Sequence, residues 1–486
     1  MQHSGYINGA FVAGDGAAFT VEDPSTGAAV ASLPGLSLAQ VEAAVAAARA
    51  AFDVGPWATM PADGRAAILR RFIAALAECH DEIADIIAAE AGCPRHSGSM
   101  QSQVAVPLRQ MPEVIDLFLS LPDAEENPLP LGQRVTPQGG TIQSFRRYAP
   151  IGVVAAIAAY NFPFLTALWK IVPALIAGNT VILRPSPLTP LSALPIARAA
   201  QQAGLPAGVL NLVIEGGLEG GQLLSSHPAV DMVTFTGSSG VGVQIAQQAA
   251  PTMKRVQLEL GGKSAQIFLP DCVGRAAMMA RVVCTSHAGQ GCALGTRLFV
   301  PEESKAEVLA QIAADFAQIR SGSAHDAETQ LGPVISAAQV ARCERFVDLA
   351  TQAGGRAVAG GKRPAHLPQG HFFEATVLDL PDNANPAAQE EIFGPVVAVI
   401  GYRDLDHAIA MANDSRYGLS GYVHGMDKAQ ALKVGMAIRS GTVNVNAGIM
   451  SSYISAGGQR MSGIGRERGV EGLRIYQQMS CLNLGG

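Results

Sequence analysis

Short apolar runs at Gly152–Ile157, Thr180–Leu183, Leu210–Ile214, Met232–Phe235 and Val256–Leu260 alternate with longer segments. Those segments, Phe164–Ala177, Leu191–Ala203, Gly217–Ser226 and Gly240–Ala249, carry apolar residues at helical spacing. Strands alternating with helices of this length predict a parallel, doubly wound α/β sheet. A second α/β stretch runs from Ala265 to about Val445, with helices expected near 271–288, 302–318, 336–353, 404–413 and 427–437. Ahead of both lies a strand-like Tyr6-Ile7-Asn8-Gly9 and turn signals at Asp23-Pro24 and Thr26-Gly27. A helix from Leu38 to Phe52 follows, with Val41, Ala44, Val45 and Ala48 on one face. Residues 62–92 and 100–120 read as two more helices. Leu121–Gly140, rich in Pro, Glu, Asn and Gly, reads as a connection or hairpin at a domain margin. The tail after Gly463 is Gly-rich, then strand-like over Ser480–Leu484, and suited to docking on another subunit.

Length sharpens this picture. At ~100–200 residues per domain, 486 residues make two or three domains with a large core. Thirty-four Lys plus Arg against 40 Asp plus Glu give a net charge of −6 with no basic block, so no footprint for nucleic acid is present. The most apolar stretch, Ile151–Leu183, is broken by Asn161, Pro163, Lys170, Pro173 and Asn179, so no membrane span is expected. The start lacks a basic region followed by an apolar one, so secretion is not expected. Seven dispersed cysteines without a C-x-x-C predict free thiols in a reducing cytoplasm, six of them packed and one available for chemistry.

Five motifs hold candidate chemistry. Val233 to Gly242 reads strand, Gly/Ser turn, helix. The helix start suits a pyrophosphate, although every doubly wound fold contains such turns. Leu258-Glu259-Leu260-Gly261-Gly262-Lys263-Ser264 is no P-loop, because Gln257 stands where its first glycine belongs. Glu259, at the end of an apolar strand, is either a general base with a raised pKa or half of an ion pair with Lys254 or Arg255. Gly289-Gln290-Gly291-Cys292-Ala293 sets a cysteine among small residues, with room for a substrate at its sulfur; the alternative is an inert buried thiol. Asn161, in Ala159-Tyr160-Asn161-Phe162-Pro163, is an oxyanion-hole donor or a turn former. Glu390-Glu391-Ile392-Phe393-Gly394-Pro395 is a binding loop or a solvated one. No cluster with metal-ligand spacing is present.

Together and in this order, the five motifs resemble the aldehyde dehydrogenase superfamily, from Asp23-Pro24-Ser25-Thr26-Gly27 to Ser462-Gly463-Ile464-Gly465-Arg466-Glu467. The resemblance implies two Rossmann-like α/β domains with a small β oligomerisation arm. Residues 1–126 and 149–260 would form the dinucleotide-binding domain, 261–462 the catalytic domain, and 127–148 with 463–486 the arm. It implies a homodimer or homotetramer. Cys292 matches the family's nucleophile, Glu259 its general base and Asn161 its oxyanion hole, with Lys170 nearby. Cofactor positions carried over are Ile157, Tyr160, Arg184, Ser186, Pro187, Gly217, Gly221, Phe235, Gly237, Ser238, Val241 and Leu260. Glu391 matches the acid on the nicotinamide ribose and Phe393 the aromatic beside the nicotinamide. Positions matching the substrate tunnel are Phe162, Leu165, Trp169, Gly291, Ala293 and Met450.

The implied reaction is oxidation of an aldehyde to its acid with NAD or NADP, through a Cys292 thioester hydrolysed by Glu259-activated water. Three departures modify it. Where the family has Lys-Pro-x-Glu this chain has Arg184-Pro185-Ser186-Pro187, which removes a carboxylate and leaves Arg184 and Ser186 as possible phosphate contacts, so dual cofactor use is expected. Tyr160 replaces a Trp, and Ser455-Ala456 replaces Pro-Phe, so an aromatic near the substrate entrance is lost. The tunnel positions are apolar or small with no evident Arg, so an aliphatic or aromatic aldehyde is expected over a semialdehyde acid. Three rival readings are a CoA-acylating relative, which commonly lacks the general-base Glu, a thioesterase-like hydrolase without a redox step, and a structural or binding protein that kept the fold.

Overall fold

In the computed structural model the described residues are 4–448 and 450–485; residues 1–3, Ile449 and Gly486, which the domain ranges above include, lie outside them. An eight-stranded sheet is built on the parallel strands Arg255–Glu259, Met232–Thr236, Val153–Ile157, Thr180–Arg184 and Leu210–Val213, in that spatial order. Antiparallel strands extend it at both edges: Gly5–Ile7 with Ala10–Val12 at one, and Gly463–Ile464 against Leu258 and Glu259 at the other. A seven-stranded sheet follows, parallel except for its edge strand Arg356–Ala359, in the order Arg356–Ala359, Thr376–Leu380, Val396–Tyr402, Arg297–Pro301, Ala265–Phe268, Ser420–His424, Thr442–Val445.

Sequence features set the element ends. Ser37 caps helix Leu38–Asp53 in a reciprocal box with Gln40. Pro163 opens helix Pro163–Ile176, where its missing N–H is not needed. The stretch 62–92 is two helices rather than one, Ala62–Glu78 and His80–Ala91, broken at Cys79. The acids Asp81 and Glu82 fall in the first turn of the second, where the helix dipole favours them. Likewise 100–120 divides into Gly98–Gln103 and Ala105–Leu119 at Val104, and Pro107, unable to donate, sits in the new first turn.

Ala124–Glu126, Ile142–Pro150 and Gln477–Gly485 form a separate three-stranded sheet with Ile142–Pro150 in the middle. Gln477–Gly485 is its open edge, exposing Met479, Leu482 and Leu484. Cys481 lies exposed on that strand; of the six cysteines expected to pack, Cys93, Cys272, Cys284 and Cys343 are buried and Cys79 is half-buried. Alternation along a two-faced edge strand leaves Cys481 no core to join. Among the described residues, no helix is long and apolar enough to cross a membrane, and no group of three or more His, Cys, Asp or Glu is placed to hold a metal.

Candidate active site

The carboxyl ends of the first sheet's parallel strands lead into Tyr160-Asn161, Ser186-Pro187, Gly237-Ser238 and Leu260-Gly261-Gly262, the edge at which α/β sheets bind ligands. From the second sheet, the loops before Arg297–Pro301 and Val396–Tyr402 bring Cys292 and Glu391 to the same place. Gly261 and Gly262 join the halves. A Cβ at Gly262 would lie 2.5 Å from the Cys292 carbonyl oxygen, and one at Gly261 would lie 2.3 Å from a Glu391 carboxylate oxygen. The Gly262 N–H donates to the other Glu391 oxygen at 2.8 Å. The paired glycines therefore serve close backbone approach.

Around Cys292 the loop is pinned from several sides. Asn161 Nδ2 donates to the Gln290 carbonyl at 2.7 Å, which leaves its second N–H uncommitted. Gln290 Oε1 accepts from the Ile335 N–H, and the Tyr422 hydroxyl donates to the Ala293 carbonyl at 2.9 Å. Gly289, at φ +71°, passes so near Gly394 that a Cβ would clash. Burial, reinforced by the carboxyls of Glu391, Glu259 and Glu467, pushes the Cys292 thiol up to about 12.

Glu259 forms no ion pair with Lys254 or Arg255. Lys254 donates to the carbonyls of His227 and Val230, and Arg255 to those of Ile475 and Gln477. Glu259 Oε1 is buried with no hydrogen-bond partner. Burial and the adjacent Glu467 carboxylate hold its pKa well above the usual range, against the pull of Lys170, Arg468 and Arg466. Lys170, wholly buried, donates to Glu467 at 2.6 Å.

Leu165 and Trp169, four apart on helix Pro163–Ile176, lie on one face, and Phe162 is the residue just before that helix. The Phe162 ring meets His287 edge-on at 5.6 Å. Gly291 and Ala293 flank the cysteine, and Met450, exposed, gives its carbonyl to Gln110.

On the other side, Ser238 caps helix Ser239–Ala249 by accepting the Val241 N–H. Gly237 lies against the Phe235 ring, where a Cβ would come within 2.3 Å of it, while Gly240 faces open space. Ile157 and Leu260 are buried beneath, Leu260 against Gly242. Tyr160 and Phe393 meet edge-on at 5.9 Å. Gln339 and Arg342 hold the loop backbone, each donating to the Ile392 carbonyl. Burial raises the Glu391 carboxyl to about 7, whereas Glu390 pairs with Arg416 at 2.6 Å.

Arg184 is not free. Its Nε donates to Glu215 at 2.9 Å and its Nη2 to the Gly217 carbonyl at 2.6 Å. Glu215 also accepts the Gly220 and Gly221 N–H groups. Ser186 and Pro187 are half-buried in the following turn, where Ser186 Oγ accepts the Leu188 N–H.

The sequence matches the profile of the aldehyde dehydrogenase family over residues 11–481. The chain belongs to the aldehyde dehydrogenase family. Among its relatives, the Bacillus subtilis protein DhaS is 35% identical over 480 residues, spanning 98% of this chain and 94% of its own. A Mycobacterium tuberculosis aldehyde dehydrogenase solved with NAD+ is 39% identical with a TM-score of 0.90, covering 98% of this chain and 96% of that one. Aldehyde dehydrogenase C of Pseudomonas syringae, a cysteine-to-alanine variant solved with NAD+ and octanal, is 35% identical with a TM-score of 0.92, covering 99% and 96%.

Against this family background, Glu215, Tyr422 and Arg468, which no motif named, and Glu467, named in one without a role, contact its candidate positions or stand among them. Glu215 holds Arg184, Glu467 holds Lys170, Tyr422 steadies the cysteine loop, and Arg468 lies over Trp169 with its guanidinium carbon 5.7 Å from the ring centre. Arg468 follows the strand that pairs with Glu259 and stands outside the segments expected to line the tunnel, over one of their residues, Trp169.

Proposed function

We propose that this aldehyde dehydrogenase converts an aldehyde to the carboxylic acid by hydrolytic chemistry at Cys292, with Glu259 as the base. The observation that carries the reading is a buried carboxyl oxygen without a partner, at Glu259, beside a thiol on a backbone loop tied to Asn161. A resting thiol pushed up to about 12 gives up its proton to water as the sulfur bonds to the aldehyde carbon. The carbonyl oxygen then becomes an alkoxide, which the free N–H of Asn161 and the Cys292 N–H are suited to hold. After oxidation leaves a thioester, Glu259 removes a proton from water as the oxygen attacks the acyl carbon. Cys292 departs, and the acid is released. Lys170 and Glu467 keep the charge balance around that carboxylate.

The residues fit a nicotinamide dinucleotide. A capped 11-residue helix with open space at Gly240 suits a pyrophosphate, and Glu391 has an oxygen to spare for a ribose hydroxyl. Gly237, Ser238 and Val241 would hold the phosphates, and Tyr160 and Phe393 would flank the nicotinamide. Bound there, the group supplies the two-electron acceptor that takes hydride from the substrate carbon. NAD is the favoured form, because Glu215 already neutralises the Arg184 charge that a 2′-phosphate would need. Two α/β domains with the boundaries given above, a cytoplasmic site of action, and self-association through the open strand Gln477–Gly485 complete the reading.

The test is product analysis. With NAD+ and an aldehyde, the free acid should form at the same rate with or without CoA, and C292A should abolish it. Acid formation only as a CoA thioester would favour the acylating alternative. Ester or thioester hydrolysis with no reduced cofactor would favour the hydrolase.

A further inference from the structure

Arg468 stands apart from the buried arginines. Arg297, buried throughout, donates to the carbonyls of Lys263, Met411 and Ala412 and to Asn383 Oδ1. Arg65 and Arg184 are likewise engaged. Arg468 has a buried Nη1 with no hydrogen-bond partner, and among the described residues no carboxylate lies within ion-pair distance of it. Nearby Glu467 is already taken by Lys170. Arg468 is half-buried, but a buried Nη1 without an acceptor is costly, so something outside the chain is expected to complete it.

Its setting indicates what. The guanidinium rests over Trp169, which shares a helix face with Leu165, and lines a small cavity with Val114, Leu117, Trp169 and Ser452. The segment that pairs with the residue before it runs beside the candidate base: a Cβ at Gly457 would lie 2.9 Å from Glu259 Oε1. Ala456, where the family pattern has an aromatic, pairs its backbone with Glu467, the residue before Arg468, at 2.8 Å in each direction. The backbone there, at φ 61° and ψ 171°, is disfavoured for any L residue. Such strain of about 1–3 kcal/mol persists at functional positions.

We propose that Arg468 is an anion subsite for the carboxylate of an ω-oxo acid, making a dicarboxylic acid the product. This rests on the aldehyde-oxidising reading and replaces the apolar substrate class expected from the tunnel segments alone. A guanidinium gives a carboxylate two parallel N–H donors, and the Nη1 donors of Arg468 have no acceptor within the chain.

The experiment compares 4-oxobutanoate, 5-oxopentanoate and 6-oxohexanoate with butanal, pentanal and hexanal, using NAD+ and the full chain. A second readout is quenching of tryptophan fluorescence by succinate, glutarate and adipate. The wild type should prefer at least one oxo acid to its neutral partner by about tenfold or more. R468M should lower kcat/KM for that acid about thirtyfold further than for the neutral aldehyde, through KM, and R468K should recover part of it. Dicarboxylate quenching should be present in the wild type and lost in R468M. Preference for the neutral aldehyde at every length, or an equal loss on both substrates in R468M, would overturn the proposal. If no aldehyde is oxidised yet dicarboxylates still quench through Arg468, the aldehyde reading fails and the anion subsite stands.

Discussion

Lys170 and Glu467, 297 positions apart, meet at 2.6 Å with the lysine side chain wholly buried. The pair joins helix Pro163–Ile176 to the segment after Gly463–Ile464, the strand lying against Glu259. It fixes the charge around the carboxylate proposed to activate water.

Removing one partner strands a buried charge. E467Q should destabilise the protein by about 3 kcal/mol, read from denaturant unfolding, while replacing both residues by Met should restore most of it.

The same variant has a sign in pH. Glu467 raises the Glu259 pKa, and Lys170 lowers it. Without the Glu467 carboxylate and with Lys170 uncompensated, Glu259 ionises at lower pH. The acidic limb of kcat should therefore move down, because the base works ionised. An unmoved limb would mean that another group titrates.

Arg184 and Glu215 bear on the cofactor. The wild type should bind NAD more tightly than NADP. E215Q, which frees the Arg184 charge, should improve the NADP dissociation constant about tenfold relative to NAD. No change in that ratio would leave Arg184 outside the adenosine site.

These pairs also show where sequence reading stops. The alternation of Val153–Ile157, Thr180–Arg184 and Met232–Thr236 with helices made the sheet legible, because each run carries its own period. Cys292, Glu259, Asn161 and Glu391 each sit in a local motif. Glu215 and Arg468 do not, and Glu467 stands in a motif that does not name its partner; their meaning comes from residues brought near by folding, and nothing local marks a glutamate as the counter-ion of a distant arginine or lysine. Gly262 was visible as part of a motif, but its reason, the Cys292 carbonyl beside it, was not.

G262A tests that contact. A Cβ 2.5 Å from the Cys292 carbonyl must displace the loop. Overpacking of this kind costs about 1–3 kcal/mol. The loss in kcat should exceed tenfold, since the loop carries the nucleophile. Retained kcat with lowered stability would make Gly262 a packing residue only.

The most direct test of the account is rapid mixing of wild type and E259Q with aldehyde and NAD+, following reduced cofactor and the mass of the protein. In E259Q a burst approaching one reduced cofactor per subunit should precede steady turnover slowed about a hundredfold or more, with an acyl group accumulating on Cys292. A burst suppressed as strongly as turnover, with no acyl-enzyme, would contradict the assignment of Glu259 to the hydrolytic step.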